Sequence, residues 1–310
     1  MLKFILQRVL SMILVVLIVA TATFFMMRLL PSGPFAREKK LPAQIIQNLE
    51  ARYHLNDPLW KQYVDYIGNL LRGDLGPSFK YTNRTVNNII DDGFPVSATL
   101  GVVAVLLSVA IGIPLGIWGA LKQNGWQDNV VMFVALLGVS VPNFIMAVLL
   151  MLVFGLWLHL LPVAGWGSIR QIILPAFTLA GYPIAFIARL VRSSMLEVLR
   201  QEYITTARAK GLSERLVIFR HALRNILIPV VTVLGPLIAA VFTGSFVVEK
   251  IFAIPGLGRY YVTSINDRDY TTILGVTIFY SALLVFMNFL VDLTYAWLDP
   301  RIRYVERKVS

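Results

Sequence analysis

Few side chains in this sequence can make or break bonds. Cysteine is absent and the three histidines, His54, His159 and His221, stand far apart. That removes disulfides, thiolate metal sites and cysteine nucleophiles, and leaves no recognisable metal or catalytic pattern. No G-x-x-x-x-G-K-[ST] phosphate loop occurs, so any nucleotide chemistry has to come from another chain. The most informative grouping is mechanical. Residues 195–211 (MLEVLRQEYITTARAKG) read as a helix whose apolar side, Leu196, Leu199, Tyr203 and Ala207, is flanked by arginines. Gly211 ends it by taking the left-handed conformation that a C-terminal cap needs. A second helix from Ser213 carries Arg215, Arg220, His221 and Arg224 towards Asn225 and an apolar run with Pro229 in its first turn. Two short helices about a glycine turn form a compact knob. Ala207 and Ala209 let another protein approach closely, and Glu202 supplies a charge for orientation.

The elements that position this knob follow from composition. The 310 residues are 57% hydrophobic and 15% charged, against roughly a quarter charged in soluble domains. The solvent for most of the chain is lipid. Only helices or a closed barrel satisfy the backbone there, and the apolar runs are continuous rather than alternating, so the fold class is an all-α, polytopic membrane bundle. Runs long enough to cross, about 20 residues each, lie at 9–30, 96–120, 130–158, 171–191, 226–248 and 271–298. The first is too long for a signal-peptide core and lacks a small-residue cleavage site, so it reads as a retained span.

Six spans place both termini on one side, and the positive-inside rule makes that side cytoplasmic. Lys3 and Arg8 precede the first span; Arg301, Arg303, Arg307 and Lys308 follow the last. Residues 189–224 carry eight basic and three acidic residues and belong on the same face. The net charge of +11 therefore reports topology, since a nucleic-acid reading needs a basic face on a soluble module. The chain divides into residues 1–30 with the first span, an external loop over 31–95, and a core of five spans over 96–310 with its cytoplasmic loop at about 193–225. The external loop is helical. Asp57 and Pro58 give a cap and first-turn proline, Trp60, Tyr63, Val64, Ile67, Leu70 and Leu71 recur at helical spacing, and Gly73 stops the run. Ile45, Ile46, Leu49 and Tyr53 mark a shorter amphipathic stretch before it. This loop is either a cap on the bundle or a docking surface for an external partner.

Glu202, Ala207 and Gly211, followed by Asn225 and Pro229, resemble the EAA loop of permease subunits of bacterial ABC importers. Further segments narrow the likeness: 1–6 (MLKFIL), 53–58 (YHLNDP), 73–79 (GDLGPSF), 95–100 (PVSATL), 249–258 (EKIFAIPGLG), 268–270 (RDY) and 292–301 (DLTYAWLDPR). Together they resemble the oligopeptide, dipeptide and nickel branch of that family, most closely its B-type oligopeptide permeases, over nearly the whole length. One departure is Tyr203 to Thr206 standing where the loop's name suggests alanines directly after the glutamate.

The resemblance implies a multi-pass subunit of the bacterial inner membrane that conducts substrate without being an enzyme. Its partners would be a homologous second permease, two ATPases that hold the ATP and Mg, and an external peptide-binding protein, with no cofactor on this chain. The coupling helix that docks on the ATPases would use Glu202, Tyr203, Ala207, Arg208 and Gly211. Its motion would switch the bundle between inward- and outward-facing states. Pro255, Gly256 and Gly258 resemble a family feature near the external gate; the alternative is a plain tight turn. The first 60 residues lean towards oligopeptides as cargo, with dipeptides, glutathione or nickel as alternatives.

Polar groups inside spans are functional candidates because they are costly there. Asn143, after Pro142, marks either an irregular backbone lining a cavity or a simple kink. Asn288 and Asp292, one turn apart in the last span, suit a pathway or helix–helix hydrogen bonding. Arg189 and Arg192 end the fourth span and snorkel to headgroups, and His159 sits at an interface. Gly112 and Gly116 form a G-x-x-x-G that predicts close helix packing. An ion-coupled secondary transporter would show charged or broken half-helices and repeated halves, and a membrane enzyme or scaffold would show a clustered reactive set. Neither pattern is clear here.

Overall fold

The computed structural model describes residues 2–29, 44, 47, 50, 51 and 53–298. Ile45, Ile46 and Leu49 of the shorter amphipathic stretch lie outside them, as do the basic residues of the C-terminal tail. The described chain is helical, with a single bridge between Pro77 and Thr85 in place of any strand. In order, α1 is Leu2–Arg28, α2 Leu59–Leu71, α3 Val86–Leu121, α4 Trp126–Ser140 and α5 Asn143–Leu150, which runs into a π-helical Met151–Trp157. Then come α6 Ile169–Val198, α7 Glu202–Ala209, α8 Glu214–Leu216, a π-helical Val217–Ala222, α9 Leu223–Ile251, α10 Leu257–Asp267 and α11 Tyr270–Leu298. Among the described residues five helices are long and apolar enough to cross a bilayer, and α4 with the α5 segment makes a sixth if that bent pair is one crossing.

The expected span over 130–158 is broken at Pro142 and Asn143, where the sequence marks an irregularity. α4 and the α5 segment meet at 111°. Pro142 has no N–H, and its ring disfavours helical geometry at the residue before it. Val141 accordingly adopts φ −89° and ψ 117°, and α5 restarts with Pro142 as its cap. α3 begins ten residues before the expected start at 96. Thr85 and Asn88 close a reciprocal cap, with Asn88 N–H donating to Thr85 Oγ1 and Thr85 N–H donating to Asn88 Oδ1, both at 3.2 Å. Thr85→Ala should lower stability by about 1 kcal/mol, read as the midpoint of thermal unfolding in detergent; no change would mean that the cap contributes nothing.

Chain contacts define two compact units, residues 1–97 with 255–286 and residues 98–254 with 287–310. In the first, α2 leans on α1. Phe24, 2% exposed, meets Tyr63 and Tyr66 at ring separations of 5.5 Å, and Thr21 and Tyr63 hydroxyls bond at 2.7 Å. The helix starts at Leu59 with Pro58 at the cap, one position later than expected from Asp57. Its apolar stripe is wider than α1 covers: Tyr63, Ile67 and Leu70 turn partly inward, while Trp60, Val64 and Leu71 stay exposed.

The same unit joins segments distant in sequence. Asp269 is 1% exposed and caps α11 through the Thr272 N–H at 3.3 Å. Its carboxylate also accepts the Ser78 hydroxyl, the Phe79 N–H at 3.0 Å and the Thr272 hydroxyl at 2.7 Å. Ser97 Oγ accepts the Leu257 N–H at 2.9 Å.

In the second unit α6 is the central element. Gly112 and Gly116 of α3 pack against it as the G-x-x-x-G spacing predicts: a Cβ on Gly116 would lie 2.5 Å from the Ala188 carbonyl oxygen. α6 continues to Val198, past Arg189 and Arg192. α9 forms a continuous helical run from Glu214 onward, so Pro229 lies inside the helix rather than in its first turn.

Candidate functional site

The expected single helix over 195–211 is two. Met195 and Leu196 lie in the last turn of α6, residues 199–201 break the helix, and α7 is a separate eight-residue rod. Its inner face is Ile204 and Ala207, 0% and 5% exposed, seated among Met195, Val217, Ile218, Ala222 and Ile226. This places Ala207 inside its own chain, where its small size serves internal packing rather than the approach of another protein. Tyr203, expected on the apolar side, is 41% exposed, and its hydroxyl accepts the Asn225 side-chain amide at 2.6 Å. That bond ties the start of α7 to α9.

Gly211 closes α7 as expected. At φ +75° its N–H donates to the Arg208 carbonyl at 2.9 Å, and the Leu212 N–H reaches back to the Ala207 carbonyl at 3.4 Å. These are the two bonds of a Schellman cap, with Leu212 packed beside the core as the accompanying apolar contact. Arg208 pairs with Glu214 across the turn, Nε to Oε1 at 2.8 Å, so α8 is staked to α7. Glu202 in the first turn and Arg208 in the last complement the helix dipole. The result is a rod with a fixed base and an exposed outer face of Glu202, Tyr203, Thr205, Thr206, Arg208 and Lys210.

The other expected positions belong to other elements. Asn143 is half-buried at the start of α5 and lines a cavity of about 270 Å³ with Gly138, Tyr182, Pro183, Ala240 and Val241. Of the two readings of Pro142 and Asn143, a break lining a cavity is the one found. Asn288 is exposed on α11 and is not among the residues lining that cavity; the Asp292 side chain lies outside the described residues. Pro255 is exposed, Gly256 is the extended cap of α10 at φ −88°, and Gly258 is buried in its first turn. The chain reverses earlier, at Ala253 with φ 53°, so residues 255–258 start a helix rather than form a tight turn.

Sequence reasoning missed one pair outright. Arg192 does not snorkel: its Nε and Nη2 reach Asp128 Oδ1 and Oδ2 at 2.5 and 2.6 Å, and Asp128 also accepts the Asn124 N–H at 3.0 Å. The Asp128 side chain is 3% exposed. The available signal was an acidic residue in the first turn of an apolar run, which needs a cation or a helix N-terminus nearby.

The pattern of the family described as "Binding-protein-dependent transport system inner membrane component" matches residues 112–304, and that of its N-terminal region matches residues 1–101. The "Dipeptide transport system permease protein DppB" of Bacillus subtilis is 50% identical over 303 residues, covering 98% of each chain. The "Oligopeptide transport system permease protein OppB" of Salmonella typhimurium is 48% identical over 306 residues, covering 98% of this chain and all of that one. Among solved structures, the MetNI methionine ABC transporter in an inward-facing form matches 68% of this chain and 96% of its own at TM-score 0.56 and 17% identity, a likeness of fold alone. With two family patterns spanning the bundle and relatives near half-identity along its whole length, the chain belongs to the inner-membrane permeases of binding-protein-dependent ABC importers, in the branch that holds the dipeptide and oligopeptide permeases.

Proposed function

We propose that this chain is the conducting permease of an ATP-driven oligopeptide importer, and that α7 is the coupling helix through which partner ATPases drive alternating access. The observation that carries the coupling assignment is the division of α7 into two faces. Ile204 and Ala207 are locked into the core between α6 and α9, while Glu202, Tyr203 and Arg208 face outward. A rod fixed in this way transmits a push to both helices instead of swivelling. For the cycle to run, ATP on the partners and loaded binding protein outside must both prefer one of two conformations, since a ligand that binds both equally shifts nothing. Peptide cargo is inferred from the dipeptide and oligopeptide relatives, with dipeptides as the second reading because the Bacillus relative carries that name.

Glu202→Arg alters the outer face without touching the core, and Gly211→Pro breaks the cap. In the reconstituted complex both should lower peptide uptake at least tenfold, about 1.4 kcal/mol of lost coupling, with reduced capture of the ATPases by permease that still inserts. Normal uptake and normal ATPase association in both variants would refute the assignment. Competition of uptake by dipeptides against tetra- and pentapeptides separates the two cargo readings.

A further inference from the structure

The α4–α6 seam carries two recesses at different depths. Near the α3–α4 loop, a groove of about 780 Å³ is lined by Lys122, Gln123, Gln127, Arg200, Arg208 and Glu214. Glu214 offsets Arg208, whereas neither Lys122 nor Arg200 has a carboxylate within 4 Å among the described residues. Further along the bundle is an apolar recess of about 260 Å³, lined by Leu115, Val131, Val134, Leu137, Phe177 and Ile184 among others. Val134, Leu137 and Phe177 are 48%, 42% and 38% exposed, so this recess opens sideways.

The two lie on one stripe. On α4, Gln127 of the groove is followed by Val131, Val134 and Gly138 of the recess at i+4, i+7 and i+11, one helix face. On α6, Phe177, Gly181, Ile184 and Ala188 follow one another with the same period, and Leu199, the cap that closes the helix, lies in the groove. Gln127 and Val134 are about 10 Å apart along the axis at 1.5 Å per residue. Trp118 and Trp126, edge-to-face at 6.3 Å and 41% and 67% exposed, stand at the groove end, where an aromatic belt marks the headgroup level.

We propose that this seam binds one anionic phospholipid, its headgroup held by Lys122 and Arg200 and an acyl chain laid in the Val131–Val134–Phe177 recess. Two unneutralised cations at headgroup depth beside an open apolar recess match a lipid with a net negative head and an apolar tail. A soluble anion would leave the recess unused, and a zwitterionic lipid would bring its own cation against Lys122 and Arg200. The site is independent of which solute the chain conducts.

Native mass spectrometry of the full-length protein in detergent, titrated with dioleoyl phosphatidylglycerol or dioleoyl phosphatidylcholine, tests this. Phosphatidylglycerol should bind more tightly to the wild type. Lys122→Gln with Arg200→Gln should weaken it about 25-fold, roughly fivefold per charge, and leave phosphatidylcholine unchanged. Val134→Trp, filling the recess from an exposed position, should weaken both lipids, and glycerol 3-phosphate should not compete. Equal binding of the two lipids by the wild type, an undiminished preference in the double variant, no effect of Val134→Trp, or displacement by glycerol 3-phosphate would each overturn the proposal. Gel-filtration profiles identify any variant that has lost its fold, and the lipid preference of the wild type tests the headgroup contact without a variant.

Discussion

Arg192→Met is expected to destabilise the bundle by about 3 kcal/mol, the lower end of the cost of stripping one partner from a buried pair. The Asp128 carboxyl group would be left at 3% exposure with only the Asn124 N–H and the α4 N-terminus to hold it. The lower end applies because Arg192 itself is 22% exposed and water reaches the pair from its side. Arg192→Lys should recover only part of the loss, since an ammonium cannot reproduce the paired contacts of a guanidinium on both carboxylate oxygens. The decisive comparison is the double variant Asp128→Leu with Arg192→Met, which removes both charges and should be more stable than either single change. Unfolding midpoints in detergent would show this as a positive interaction in a double-mutant cycle. Strict additivity of the two singles, or an unchanged midpoint in Arg192→Met, would mean that the contact contributes nothing to the fold.

This pair also shows where reading the sequence reaches its limit. The helical class and the approximate spans were legible because a bilayer demands long uninterrupted apolar runs. Helix ends inside the protein carry no such demand. α6 passes Arg189 and Arg192 and runs to Val198 because Asp128, 64 positions earlier, waits for Arg192. With the partner invisible, an arginine after an apolar run reads as a span end. The break between α6 and α7 at residues 199–201 has no proline or glycine to announce it, whereas the end of α7 at Gly211 was readable because only glycine takes φ +75° without strain.

For the α7 segment, the closing cap at Gly211 was legible, whereas the break that makes it a separate rod and the assignment of its faces were not. Tyr203 has an apolar ring, yet it lies outward with its hydroxyl on Asn225, and Ile204 takes the buried place. The segments that carried the family resemblance behave alike. Residues 73–79 and 268–270 meet through Ser78 and Asp269, and residues 95–100 and 249–258 meet through Ser97 and Leu257. Each contact spans 160 residues or more, a relation that local periodicity cannot reveal.

Gly116→Leu should be the most damaging single change in the second unit. Even a Cβ at this position would sit 2.5 Å from the Ala188 carbonyl oxygen and 2.7 Å from Val191 Cβ, and Gly112 one turn earlier faces Ile187 Cβ at 2.9 Å. The obstruction is backbone and β-carbon, so no rotamer of a neighbour relieves it, and α3 has to move away from α6 along its length. Overpacking a filled core costs about 1–3 kcal/mol and occasionally more; here a whole helix interface opens, and the expected loss is at or above about 3 kcal/mol. Gly116→Ala should already be clearly destabilising. Gly181 supplies the control, since it lies in α6 with nothing within 4 Å of an added Cβ and without a positive φ. Gly181→Ala should therefore be neutral or stabilising by up to about 1 kcal/mol through the lost freedom of the unfolded chain. If Gly116→Ala and Gly181→Ala shifted the unfolding midpoint alike, intrinsic helix propensity would account for both and the close α3–α6 contact would carry no weight. Opposite signs would identify that contact as the feature for which these glycines are needed.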